Sequence, residues 1–239
     1  MYEGNTRITY YDLDFREKIK LSAILRMAHI AADVNANELG IGFETLHPLN
    51  MSFVIQRFGL KISRMPKYNE TVAIRTWPAD VSRGTFIRKG DMYDAEGKKV
   101  MEWASLWILF DIAKRKILKP SALPVAIPDL PDIMVNVTPD KVVYDDIEVL
   151  SEHIHTVRYA DVDTNMHMNN SIYGDLIGNA VFANNNDSPE WAEVQINYLG
   201  ETCLGDEINI TTGKLGDDSL IVTGSCMGRP SFCAKIKGA

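Results

Sequence analysis

The chain has 239 residues, room for one large domain or two smaller ones, and its 46% hydrophobic and 24% charged content is that of an ordinary globular protein. A formal net charge of −7 argues against nucleic acid as a partner, because phosphate binding wants a basic field. Three cysteines (Cys203, Cys226, Cys233) suit a reducing compartment without a disulfide framework; Met1 to Arg7 lacks the apolar stretch of a signal peptide and no run approaches a membrane span, so a cytoplasmic protein is expected.

Thr6 to Tyr11 reads as a short strand, followed by Asp12-Leu13-Asp14 and a polar loop. Leu21, Ile24, Leu25, Ala28, Ala31 and Ala32 recur at helical spacing, with Ser22 as a cap and Gly40 and Gly42 suited to the stop. Four strand-like runs follow: Ser52 to Ser63, Thr71 to Trp77 (ended by Pro78), Arg83 to Tyr93, and Lys99 to Asp111. The last is apolar on both faces, which places it in the middle of a covered sheet. Pro120, Pro124, Pro128, Pro131 and Pro139, half of the ten prolines, mark an inter-domain connection. The expected bounds are a first domain over 1–130, a linker over 131–150 and a second domain over 151–239.

After the connection the pattern starts again. Ile154 to Ala160 is a strand, Asp161-Val162-Asp163 leads a polar loop, and a helix runs from about Ser171 to Ala183. Strands follow at Ala192 to Leu199, Glu207 to Thr212, Ser219 to Met227 and Phe232 to Lys237, with a turn at Gly216-Asp217-Asp218. Both halves read as strand, loop, long helix, four strands. An internal duplication in an α+β fold is the simplest account.

Ala160 to Asn170 is the densest stretch of chemistry, with Asp163, Asn165 and His167 at alternate positions. In extended chain, alternate side chains share a face. Full extension would hold Asp163 and His167 roughly 13 Å apart at 3.3 Å per residue. A working site therefore needs the loop to curl, and Asn169 or Asn170 as the cap of the following helix allows it. The same residues, read singly, are turn formers and caps.

Asp-x-Asn-x-His followed by Asn-Asn resembles the catalytic signature of acyl-acyl carrier protein (acyl-ACP) thioesterases of plants and bacteria. The resemblance extends from about Tyr10 to Gly205, and includes Trp103 to Leu109, Lys114-Arg115-Lys116 before Pro120, and Val54 to Pro66. It implies a double hot-dog fold, two tandem units of antiparallel sheet wrapped around a long helix. It also implies hydrolysis of fatty acyl thioesters in fatty acid biosynthesis, with acyl carrier protein as partner and no metal or redox cofactor. It adds Glu201, at the end of the strand after the second helix, to the catalytic set of Asp163, Asn165 and His167. The family's plant members usually place a Cys after that Glu; here Thr202 stands there, a poor nucleophile, which favours water activated by a carboxylate. Cys203 is one residue late.

The first copy has Phe15, Arg16, Glu17, Lys18 and Ile19 after Asp14, with no equivalent amide or imidazole, so the reactive centre belongs to the second copy. The first copy would shape a cavity for the acyl chain, with Ile24, Met27, Ala28, Ala31, Met51 and Phe53 available to line it. Cations at Lys114, Arg115, Lys116 and Lys119, at Arg57, Lys61, Arg64 and Lys67, and at Arg83, Arg88 and Lys89 offer patches for an acidic carrier. His153 and His155 alternate on a strand without a third metal ligand nearby. The rival readings are an acyl-CoA thioesterase with the same residues, a non-catalytic hot-dog acyl-binding sensor and a hot-dog dehydratase. The chain is expected to act as a monomer or homodimer.

Overall fold

A computed structural model describes residues 1–82, 84–128, 133–185, 190–216 and 219–238. Two compact units emerge. The first comprises Met1–Ile8, Met27–Pro66 and Glu70–Pro139; the second comprises Thr9–Arg26, Lys67–Asn69 and Asp140–Ala239.

The first unit holds strands β1 (Tyr2–Arg7), β2 (Met51–Ile62), β3 (Thr71–Ser82), β4 (Thr85–Tyr93), β5 (Lys99–Asp111) and β6 (Lys116–Leu118). All its pairings are antiparallel, in the order β1-β3-β4-β5-β2. β6 folds back on Leu109–Asp111, on the side β4 leaves vacant because its pairing with β5 begins at Thr85 opposite Ile108. β5 has a neighbour on each edge, and Trp103, Ala104, Ile108 and Leu109 are buried from both faces, as its two-sided apolar pattern requires. Most of helix α1 (Leu21–Glu38) covers this sheet's inner face, with α2 (Phe43–Leu46) following.

Two boundaries of this unit differ from the sequence pattern, and the first strand of the second copy likewise runs over Glu148–Thr156 and not Ile154–Ala160. β1 lies four residues earlier than expected, and Thr9 to Asp12 form a tight turn instead of strand. Pro78 does not end β3: the pairing with β1 stops at Thr76, and the register slips between Pro78 and Asp80. A proline is tolerated where one edge is unpaired and a bulge absorbs the missing donor.

The second unit holds β7 (Glu148–Thr156), α3 (Ile172–Asn185), β8 (Trp191–Tyr198), β9 (Glu207–Lys214), β10 (Leu220–Cys226) and β11 (Arg229–Gly238). Its order is β7-β9-β10-β11-β8. Numbered within each copy, both sheets read 1-3-4-5-2, with the long helix between strands 1 and 2. The turn expected at 216–218 lies partly outside the described residues, as does Arg83.

The loop and first turns of α1, Thr9–Arg26, belong to the second unit. There Lys18 pairs with Glu190 at 2.7 Å, Phe15 meets Phe182 edge-on, and Ser22 Oγ donates to Asp175 Oδ1. A Cβ on Gly174 would come within 2.6 Å of the Ser22 backbone nitrogen, so α3 and the start of α1 approach there only because residue 174 has no side chain.

Candidate active site

The stretch after β7 curls into a five-residue hairpin. The Asp163 N–H donates to the His167 carbonyl at 3.0 Å, and the Met166 N–H donates to the Asp163 carbonyl at 3.0 Å. Met166 takes a left-handed conformation, φ 64°. The Asp163 carboxylate accepts the Asn165 N–H at 2.8 Å, the local bond by which an aspartate closes a turn. Below the hairpin Val162 bridges Met168, and the Asn169 N–H returns to the Asp161 carbonyl. The Asn169 carboxamide accepts both N–H and O–H of Ser171 (2.9 and 2.7 Å), so Asn169 performs the expected capping just before α3.

Glu201 follows β8 by three residues. An antiparallel bridge joins His167 to Cys203, and the Met168 N–H donates to the Thr202 carbonyl at 2.8 Å. These two contacts stitch the hairpin to the segment after β8. They carry His167 Nε2 to 3.4 Å from Glu201 Oε2, with both side chains partly open to solvent. That is ion-pair distance if the imidazole is charged, and a long hydrogen bond otherwise; catalytic contacts often tighten only when substrate is bound. Of the four expected residues, His167 and Glu201 are brought together. Asn165 is exposed at the hairpin tip, and the hydrogen bond of Asp163's carboxylate is the turn contact. Cys203 is exposed and lies in this loop, not on a strand.

The loop of the first copy repeats the hairpin bond for bond. Asp14 N–H donates to Lys18 O at 2.8 Å, Glu17 N–H donates to Asp14 O at 3.0 Å, Arg16 N–H reaches the Asp14 carboxylate at 2.9 Å, and Glu17 has φ 61°. Leu13 bridges Ile19 as Val162 bridges Met168. The strand-end bond recurs too, Ile8 N–H to Glu70 O and Val157 N–H to Asp206 O. Arg16 and Lys18 thus occupy the places of Asn165 and His167. Counting back from Glu70 and Asp206, Met65 occupies that of Glu201. The first copy keeps the fold of the hairpin and Asp14 in the place of Asp163, without the amide, the imidazole and the acid of Glu201.

Sequence reasoning missed two tyrosines behind the site. Tyr173 Oη lies 3.1 Å from the buried Thr202 Oγ1, Tyr198 Oη donates to the Asn170 carbonyl at 3.3 Å, and the two rings meet edge-on at 5.4 Å. Burial pushes both phenols above their usual range, so both keep their protons. They hold the segments that bear His167 and Glu201. The signal available was chemical: a buried tyrosine hydroxyl looks for a partner, and Tyr173 and Tyr198 flank the site segments in sequence. The partner of Thr202 is therefore a phenol, not a base.

His155 Nε2 lies 3.1 Å from Asp161 Oδ2, which also accepts the Arg158 N–H. Among the described residues no group of three or more His, Cys, Asp or Glu side chains is gathered as for a metal ion.

The model of the acyl-ACP thioesterase N-terminal domain matches residues 1–121, and that of the acyl-ACP thioesterase C-terminal domain matches residues 144–226. The chain belongs to the acyl-ACP thioesterase family. This thioesterase hydrolyses acyl-ACP thioesters in fatty acid synthesis. Its fold is similar to that of an acyl-ACP thioesterase from Bacteroides thetaiotaomicron, with TM-score 0.84, 21% identity, and 98% of this chain and 96% of that chain covered. It is also similar to a 12:0-ACP thioesterase from Umbellularia californica, with TM-score 0.80, 17% identity, and 100% and 96% covered. Both likenesses bear out the double hot-dog expected from the signature. No curated protein matches the thioesterase significantly. Among the described residues no helix is long and apolar enough to cross a membrane.

Proposed function

We propose that Glu201 and His167 form the working pair of the hydrolysis, with Asn165 and Asp163 completing the site. Glu201 takes a proton from water as the water oxygen attacks the thioester carbonyl carbon. Asn165 and His167 donate to the carbonyl oxygen as it gains charge. The C–S bond then breaks, the carrier thiolate takes up a proton, and a fatty acid leaves. Donors aimed at such an oxygen are worth roughly 3 kcal/mol each in the transition state, and a positioned base adds ~10²–10⁴-fold. Asp163 orients the hairpin. The observation that carries this reading is the 3.4 Å approach of His167 to Glu201, made where the hairpin is stitched to the segment after β8.

In the same reading the copy over 151–239 does the chemistry in the cytoplasm. The copy over 1–130 houses the acyl chain, and 131–150 links them. Lys114, Arg115, Lys116 and Lys119 are all exposed, around the turn between β5 and β6, and they receive the acidic carrier. The other two patches are poorer candidates. Arg64 is engaged with Glu70 and Asp94, and Arg88 is turned inward on Asn35 rather than out to a partner.

Thiol release from matched acyl-ACP and acyl-CoA substrates tests both parts. Glu201→Gln and His167→Ala are expected to lower kcat by about 10²–10⁴-fold with unchanged Tm. Lys116→Glu with Lys119→Glu is expected to raise KM for acyl-ACP and leave KM for acyl-CoA alone. Full kcat in either site variant would end the pairing; equal KM effects on both substrates would end the docking assignment.

A further inference from the structure

Four large apolar side chains stand exposed around His167 and Glu201. Met166, Leu199, Leu204 and Met227 are 67%, 52%, 55% and 85% exposed. They sit on three separate loops of the second unit. Met166 precedes His167 and Leu204 follows Cys203, so the antiparallel bridge from His167 to Cys203 sets the two opposite one another. Leu199 lies two residues before Glu201, and its N–H donates to the Ser231 carbonyl at 2.8 Å. Met227 tips the turn between β10 and β11. The strand leaving that turn presses on Gly200, where a Cβ would lie 3.0 Å from the Pro230 carbonyl oxygen.

Scattered apolar residues on a surface are ordinary. These four are set apart by the first copy, which folds the same loops without the catalytic pair. The Glu17 N–H makes the bond that the Met166 N–H makes, each to the carbonyl of the aspartate three residues back. Ser63 and Arg64 both donate to the Val100 carbonyl, as Leu199 and Gly200 both donate to that of Ser231. The turn that answers the one at Met227 is Asp94-Ala95-Glu96-Gly97, between β4 and β5. Glu17, Ser63 and Glu96 are exposed. At three of the four places the first copy is thus polar; Leu204 alone is answered by an exposed ring, Tyr68. The backbone does not call for the apolar side chains, because it forms without them. They go with the site.

We propose that Met166, Leu199, Leu204 and Met227 are the seat of the acyl carrier protein. The proposal rests on the reading of His167 and Glu201 as the working pair, since the carrier has to bring its thioester to them. The family to which the chain belongs acts on acyl-ACP, so the carrier is the macromolecule that this mouth must meet. Two exposed cations edge the patch. Arg229 follows the tip of the turn, and Arg158 adjoins Val157, whose carbonyl accepts the Gly205 N–H at 2.9 Å. The matching face of the partner is apolar with carboxylates at its rim, in keeping with an acidic carrier. The cluster from Lys114 to Lys119 has a separable role: charge speeds encounter, whereas desolvated apolar anchors supply affinity.

The test is steady-state hydrolysis of acyl-ACP and of the same acyl group on pantetheine, which has no protein part. Leu199→Ser with Met227→Ser is expected to raise KM for acyl-ACP about tenfold, the worth of one or two anchors. Both kcat and the KM for acyl-pantetheine should stay as in the wild type. The rise should persist at high salt, where the effect of Lys116→Glu fades. An unchanged KM for acyl-ACP overturns the proposal, and more so if the double variant has lost binding to phosphatidylcholine vesicles or a dimer that the wild type forms. An equal rise for acyl-pantetheine also overturns it, because the patch would then hold the acyl chain or the arm. Should the double variant not fold, Leu199→Ser alone carries the test, as serine is what the first copy bears at that place. Full kcat in Glu201→Gln would end the pairing, and an unmoved KM in the double variant would end the seat, so the two failures are told apart.

Discussion

Lys18 stands in the first hairpin where His167 stands in the second, and each offers its carbonyl to the amide of an aspartate four residues earlier, Asp14 at 2.8 Å and Asp163 at 3.0 Å. The backbone of the site is thus a turn repeated in both copies that folds without the amide and imidazole of the second. Asn165 and His167 of the candidate site differ from Arg16 and Lys18 on that turn.

The duplication separates the two roles open to Asp163. Asparagine can accept the same Asx-turn bond, so Asp163→Asn and Asp14→Asn should both leave Tm unchanged. Asp163→Asn is expected to lower kcat by about tenfold or more, because the charge that orients the site is gone. Asp14→Asn should leave kcat alone. Wild-type turnover by Asp163→Asn would reduce Asp163 to a turn residue.

His29 makes stability fall on acidification. Its ring meets Phe58 and Trp107 edge-on, and among the described residues its Nε2 has no hydrogen-bond partner. Burial lowers its pKa from 6.5 to about 4. The unfolded chain therefore binds the proton more readily, so the contribution is fully present above pH 6.5 and is lost as pH falls towards 4. A shift of that size corresponds to about 3 kcal/mol at most. Urea titrations between those pH values should show this loss in the wild type and a smaller one in His29→Leu. Equal slopes for the two proteins would mean that His29 does not govern the acid limb.

Two glycines of α3 should respond in opposite directions. Gly174 abuts the Ser22 backbone, so Gly174→Ala should cost about 1–3 kcal/mol and lower Tm by several degrees. A Cβ on Gly178 meets nothing within 4 Å, so Gly178→Ala should stabilise the helix by about 0.5–1 kcal/mol. Thermal melts of the two variants check both signs.

Cys203 should be dispensable. It bridges His167 through the backbone, and its N–H donates to Asp206 at 2.8 Å, contacts that serine keeps. Cys203→Ser is expected to retain wild-type kcat for acyl-ACP. A large loss would reopen a thiol mechanism.

The sequence by itself determined the duplication, the helix of each copy and the central strand Lys99–Asp111, because periodicity and turn chemistry are local. It also singled out Asp163, Asn165 and His167, because a dense polar signature is legible without coordinates; Glu201, far along the chain, joined them only through the family resemblance. Only the tertiary structure decided which of them meet. A bridge from His167 to Cys203 is a non-local pairing with no imprint on composition, and it sets the distance to Glu201. The same limit hid the inward turn of Arg88. On the sequence it is one of several cations on a strand; which face of the sheet a helix covers is settled by packing between distant segments.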